Sequence, residues 1–210
     1  MLAKVIRLIE GSWLFHVANA LVAAIWVHDG AKAVLAYRET HQVASLLMAA
    51  MNALLVVFYV RRRRSHDVGA SLKVVVLANL GTFGSFLYVT GEPLHPALNE
   101  PCLAVMTAAL VVSLGAFVSL GRSWGILPAN RGVRTGGLYR VVRHPIYASY
   151  IVFDVCYALV AATWRNAAVA ATIALVLYAR ARYEEELLLR DPQYAAYATR
   201  TRYMLFPGLV

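Results

Sequence analysis

Two stretches of the chain carry side chains whose types and spacing suit chemistry. The first, Gly136 to Asp154, reads GGLYRVVRHPIYASYIVFD, a basic loop running into an apolar segment. Gly136 and Gly137 permit a tight turn, and Pro145 suits the first position of a helix, where its missing N–H costs nothing. Arg140, Arg143 and His144 then stand just ahead of a helix N-terminus, whose free N–H groups and dipole favour an anion. The arginines alone fit equally well a positive loop set by membrane topology. The second stretch, LYARARYEEELLLRDPQYAAY (177–197), places Glu184, Glu185 and Glu186 near the end of a helix. That helix should stop around Arg190 or Asp191, because the residue before Pro192 resists helical geometry. Carboxylates there oppose the helix dipole and repel one another, offset in part by Arg180 with Glu184 and Arg182 with Glu186 at i,i+4. Either they form a solvated collar, or some of them face a ligand bearing positive charge or hydroxyls.

Beyond Pro192, Tyr194 and Tyr197 at i,i+3 precede Arg200, Arg202 and an apolar exit through Leu205, Phe206 and Pro207. This pattern suits an interfacial segment lying over a site, or an ordinary amphipathic tail. In the apolar run after Pro145, Tyr147, Tyr150, Ile151, Asp154 and Ala158 share one helix face. An aspartate inside a membrane span is costly and faces a cavity or a partner, so Asp154 either serves chemistry or is hydrogen-bonded to Tyr157 or another helix.

The elements that must position these residues are membrane helices. The chain has 210 residues, is 60% hydrophobic with 15% charged residues, and has a mean hydropathy of +0.61. Those values exclude an ordinary soluble domain and indicate an all-α integral membrane protein. Hydropathy predicts about six (five to six) transmembrane helices, near 12–28, 42–60, 72–89, 102–120, 146–162 and 167–181, with a cytoplasmic C-terminal cap. Several are near the lower length limit, which implies tilt or local thinning. The first follows a short basic stretch with Lys4 and Arg7 and reads as a retained anchor. All but Lys32, Arg38 and Arg165 of the 20 Lys and Arg residues fall on one side if both termini are cytoplasmic, the orientation the positive-inside rule favours. The net charge of +9 follows this topology and does not indicate nucleic-acid binding. Cys102 and Cys156 lie in apolar segments and define no disulfide framework, and no metal-ligand spacing occurs. Residues 1–120 read as a four-helix transmembrane region and 121–210 as the region holding the polar chemistry, within one membrane domain. Gly81, Gly84 and Gly115 read as positions of close helix packing.

Several motifs, in order, resemble a known family. Arg143-His144-Pro145-Ile146-Tyr147, Arg182 with Glu184 and Glu185, Tyr194-x-x-Tyr197-x-x-Arg200 and Phe206-Pro207 look like the isoprenylcysteine carboxyl methyltransferase and phospholipid methyltransferase family of membrane enzymes. The stretch SWGILPANRGVRTGGLYR (123–140) is similar to bacterial members, which implies the bacterial inner membrane. The resemblance covers roughly residues 121 to 207. It implies methyl transfer from S-adenosylmethionine to a lipid-borne acceptor drawn from the bilayer, such as a prenylcysteine-like carboxylate or a phospholipid amine. Under it, Arg143 and His144 suit the cofactor's carboxylate, and Glu184 or Glu185 its ammonium or ribose. Tyr147 helps to position the cofactor and the segment around Tyr194 covers the adenine. As catalytic candidates, Arg200 orients an anionic acceptor, and Asp154 or a glutamate takes the proton of an amine. The family motif commonly continues His-Pro-x-Tyr-x-Gly; here Ser149 holds the glycine position. Two other classes compete: an NADPH-dependent membrane sterol or lipid reductase, similar around Arg-His-x-x-Tyr but disfavoured by paired acids near a diphosphate, and a non-catalytic membrane scaffold.

Overall fold

The computed structural model describes residues 13–61, 72–121 and 133–208. Lys4, Arg7, residues 62–64 of the basic run and residues 123–132 lie outside the described residues. Among those described, regular structure is wholly helical. A hairpin of α1 (Leu14–Thr40) and α2 (Val43–Arg61) comes first. Next come α3 (Leu72–Phe83), with a 3-10 extension over Gly84–Leu87, and α4 (Asn99–Leu120). A 3-10 turn, Gly137–Arg140, leads towards α5 (Pro145–Val160), α6 (Trp164–Leu188) and the short α7 (Pro192–Arg200). Helix α2 packs on α1 and α4, α4 on α5, α5 on α6, and α6 on α3.

Among the described residues, three helical stretches are long and apolar enough to cross a membrane: His16–Thr40, Val43–Val60 and Pro96–Leu120. Leu72–Leu87 and Pro145–Val160 are shorter apolar helices. At ~1.5 Å per residue, the 16 residues of α5 rise ~24 Å, short of a ~30 Å hydrocarbon core. The 25 residues of α6 combine an apolar first half with a charged end.

The first helix runs well past its expected end near residue 28. Its extension, AKAVLAYRE, carries Lys32, Arg38 and Glu39, which end the hydropathy signal, yet most of its residues are good helix formers. The stop comes only at His41, which adopts a left-handed φ of 54° and donates its N–H to the Tyr37 carbonyl at 2.8 Å. Lys32 and Arg38, expected in a loop, are therefore helical. The other expected boundaries lie within a few residues of the observed ones, except that the third span breaks at Phe83 and the sixth continues to Leu188.

One end of the bundle is tied by hydrogen bonds from a single side chain. Asn166 is wholly buried on the first turn of α6. Its Nδ2 donates to the carbonyls of Val89 (2.8 Å) and Ala161 (2.6 Å), and its Oδ1 accepts from the Val89 N–H (3.0 Å). The α5–α6 turn is joined to the preceding loop by Leu94 N–H to Leu159 O (2.8 Å) and Ala162 N–H to Glu92 O (2.7 Å). Replacing Asn166 by leucine leaves a buried N–H and two carbonyls without this partner. It is expected to destabilise the protein by about 2–4 kcal/mol, seen as a lower unfolding midpoint in detergent; an unchanged midpoint would refute this account of the turn.

Candidate active site

The site is built where three segments meet: the loop entering α5, the charged end of α6, and α7 with the tail that follows it. Pro145 occupies the first turn of α5, as its chemistry dictates. Upstream, Gly137 has a φ of 60°, and a Cβ there would lie 2.6 Å from Ser119 Oγ, so the turn against α4 requires glycine. At the far end, Asp191 caps α7 by accepting from the Gln193 N–H at 2.8 Å, with Pro192 in the first turn. This confirms helix termination ahead of Pro192.

Glu185 is the meeting point. Its Oε1 accepts from Arg143 Nε (3.0 Å) and the Tyr194 hydroxyl (2.6 Å) and lies 2.8 Å from His144 Nε2. A carboxylate acceptor fixes the ring nitrogen as the donor in the last pair. Burial alone would raise the Glu185 pKa, but the hydrogen bonds from His144, Tyr194 and Arg143 outweigh it and bring the carboxyl down to about 2. Tyr194 is shifted the other way, by burial first and then by its bond to Glu185, so its hydroxyl remains a donor.

Glu184, one residue earlier, anchors a second set. Its Oε1 accepts from the Tyr147 hydroxyl (2.7 Å) and from Arg180 Nε (3.1 Å). The buried Arg180 guanidinium lies 5.2 Å from the centroid of the Tyr147 ring, and Nη1 reaches the Ala78 carbonyl of α3 at 3.4 Å. Tyr147 in turn stacks on His144, with centroids 5.5 Å apart and planes within 7°. His144 Nδ1 is 3.9 Å from Glu184 Oε2.

The tail closes the arrangement with backbone groups. Arg143 Nη1 donates to the carbonyls of Thr201 (2.8 Å) and Arg202 (2.7 Å). The backbone N–H groups of Arg143 and His144 donate to the carbonyls of Tyr203 (3.0 Å) and Met204 (2.9 Å). Tyr197 donates its hydroxyl to the Tyr139 carbonyl at 2.6 Å, fastening α7 to the turn before α5.

Of the residues singled out in the sequence, Arg143, His144, Tyr147, Glu184, Glu185 and Tyr194 come together in this cluster. Two others stand apart. Arg200 is exposed at the end of α7, and its side chain makes no hydrogen bond or ion pair with the described residues. Asp154 is buried on α5, facing Tyr88, roughly 10 Å along the helix from Tyr147. The i,i+4 spacing marks Arg180 only as a partner of Glu184, and its contact with Tyr147 has no sequence signal. The Arg143 contacts to the tail were missed as well, because backbone acceptors have no residue signature.

Ser149, in the family's glycine position, faces α4. Its hydroxyl donates to the Ile146 carbonyl (2.8 Å) and pairs with Ser113 Oγ at 2.6 Å. The substitution is therefore accommodated by a serine on the neighbouring helix.

Residues 102–190 match the model of the isoprenylcysteine carboxyl methyltransferase (ICMT) family. No curated protein matches the chain. The matched segment contains all but the first three residues of α4, and α5 and α6 with Arg143, His144, Tyr147, Glu184 and Glu185, and ends before Tyr194 and the tail.

The tail contacts yield a pH-dependent expectation. A carboxyl lowered from 4.5 to about 2 on folding contributes stability that is complete above about pH 4.5 and is lost as pH falls towards 2. Wild-type protein is expected to lose thermal stability across that window. Glu185→Gln should be less stable at neutral pH and show a smaller decline; parallel pH profiles for the two proteins would contradict the assignment.

Proposed function

We propose, from the match of residues 102–190 to the isoprenylcysteine carboxyl methyltransferase family model, that this protein is a membrane methyltransferase and that the Glu185 cluster binds S-adenosylmethionine. Its methyl group passes to a lipophilic acceptor, a prenylcysteine-like carboxylate or a phospholipid amine, at the cytoplasmic membrane face. The observation that carries this reading is the cluster's pairing of unspent donors and acceptors. Among the described residues, Arg143 commits Nε and Nη1 but not Nη2, and Glu185 binds its partners through Oε1 and not Oε2; Glu184 accepts hydrogen bonds through Oε1, while its Oε2 has only the 3.9 Å approach of His144 Nδ1. A guanidinium nitrogen and carboxylate oxygens with hydrogen-bonding capacity left over, in one cluster, fit the carboxylate and ammonium of an amino-acid moiety. A diphosphate would meet two carboxylates at close range, which weighs against the reductase reading.

When bound, the cofactor supplies a sulfonium that is already reactive and loses its charge in the transfer. What the protein adds is placement and exclusion of water. Tyr147, held between Glu184 and the His144 ring, forms a rigid wall of the site, and Tyr194 with α7 covers it. Arg200, exposed beside the tail, is assigned to an anionic acceptor arriving from the bilayer. Asp154 is assigned to packing against Tyr88, because it lies two helical turns from the cluster. The cytoplasmic orientation, in an inner membrane, rests on the positive-inside distribution. The region from 121 onward is taken as catalytic and the preceding helices as its membrane frame.

Titration of the purified full chain in detergent with S-adenosylhomocysteine should give saturable binding. Glu184→Gln is expected to weaken it about tenfold or more, the effect of losing a charged hydrogen-bond acceptor. Stabilisation by NADPH and not by the homocysteine compound would overturn the proposal. The acceptor is read out by incubating the protein and a labelled methyl donor with total membrane lipid and identifying the labelled product. Ser149→Gly should cost about 1–2 kcal/mol, through lost helix propensity and the lost bond to Ser113. Because Ser149 faces α4, the same variant should leave S-adenosylhomocysteine affinity within about twofold; a larger loss would place Ser149 at the ligand.

A further inference from the structure

The first half of α6 borders a second feature, separate from the Glu185 cluster. Between it and α3 with its 3-10 extension lies an open groove of about 180 Å³. Leu80 and Leu87 form one wall, and Ala168, Val169, Ile173 and Val176 the other. Gly84 keeps the helices close: a Cβ there would come 3.0 Å from Ile173 Cγ1. Thr172 also lines the groove, but its hydroxyl is turned back to the Ala168 carbonyl at 2.8 Å, so its polar atom is tied into the helix.

Polarity is confined to one end. Arg165 Nε donates to the Leu87 carbonyl at 3.1 Å, which fixes the guanidinium at the groove mouth. Its terminal nitrogens make no hydrogen bond with the described residues. Trp164 beside it is 86% exposed, as suits an indole at a membrane interface. From Arg165 to Val176 the helix rises roughly 16 Å at ~1.5 Å per residue, close to the ~15 Å of one leaflet in a ~30 Å hydrocarbon core. The volume is comparable with a cavity of about 150 Å³ that takes up benzene, enough for part of one hydrocarbon chain.

We propose that this groove is a binding site for an anionic phospholipid, with one acyl chain along α6 and the phosphate on Arg165. A cation at the interface end of a leaflet-length apolar slot matches a headgroup and its chain in charge, order and spacing. The site lies at the opposite end of α6 from the charged cluster, and the inference does not depend on methyl transfer.

The test uses the purified full chain and native mass spectrometry in detergent with added dioleoyl phosphatidylglycerol or dioleoyl phosphatidylcholine. Wild-type protein should retain one phosphatidylglycerol in preference to phosphatidylcholine. Arg165→Gln should reduce that preference about fivefold, the effect of one basic residue on an anionic lipid. Ala168→Phe, at an exposed position that fills the groove, should abolish retention of either lipid. Thr172→Phe, also exposed, provides a second filled groove. Equal retention by wild type and the filled variants, or an unchanged lipid preference in Arg165→Gln, would overturn the proposal.

Discussion

A single carboxylate oxygen ties together the segments of this protein that follow α4. Glu185 Oε1 receives donors from Arg143 in the loop before α5, from His144 immediately ahead of α5, and from Tyr194 of α7. Placing that anion in a mostly buried position would be unfavourable without partners, and removing any one of them exposes the remainder to the same cost. The three donors therefore act as a unit. The register of the tail follows from it, because the guanidinium that reaches Glu185 is also the one that grips the carbonyls of Thr201 and Arg202.

The same constraint explains the unusual form of α6. A helix serving only as a span could end near Ala181, where the apolar run stops. Here it continues to Leu188 and carries three glutamates close to its C-terminus, against the preference of its own dipole. Arg180 and Arg143 offset the charge of Glu184 and Glu185 across a short distance. Arg180 also connects this end of α6 to α3 through the Ala78 carbonyl, so the bundle and the site share a buried cation. The flat contact between His144 and Tyr147 fixes the start of α5 against the two acids. None of these groups is a lone buried charge, which is what makes the cluster physically sustainable.

Much of this was legible in the sequence because it depends on local chemistry. Pro145 and Pro192 declared a helix start and a helix stop, and the i,i+4 spacing declared the Arg180–Glu184 pair. The family motifs joined 143–147 to 184–185 and 194, separations that periodicity cannot bridge. What escaped was of two kinds. The length of α1 was hidden because hydropathy registers apolar runs, while helix formation continues through residues such as Lys32 and Arg38. The fastening of the tail was hidden because its acceptors are main-chain carbonyls at 201 to 204, which any sequence would supply. Ser149 is intermediate: the departure from the family pattern was visible, but its partner Ser113, on another helix, was not.

The internal pairing also bears on how such a site can wait for a ligand. A pocket of unpaired acids and bases would repel itself or collapse into direct ion pairs that use every donor and acceptor. Here the hydrogen bonds converge on one oxygen of each glutamate and on two of the three nitrogens of Arg143. The charges are compensated, yet among the described residues the second oxygen of Glu185 and the third nitrogen of Arg143 make no hydrogen bond, and the second oxygen of Glu184 has only the 3.9 Å approach of His144 Nδ1. On the proposed reading, a zwitterionic ligand adds its own contacts without first breaking those that hold α5, α6 and the tail in place. Preorganisation of this kind lowers the cost of binding, because the polar groups are already fixed and only the ligand's freedom is lost.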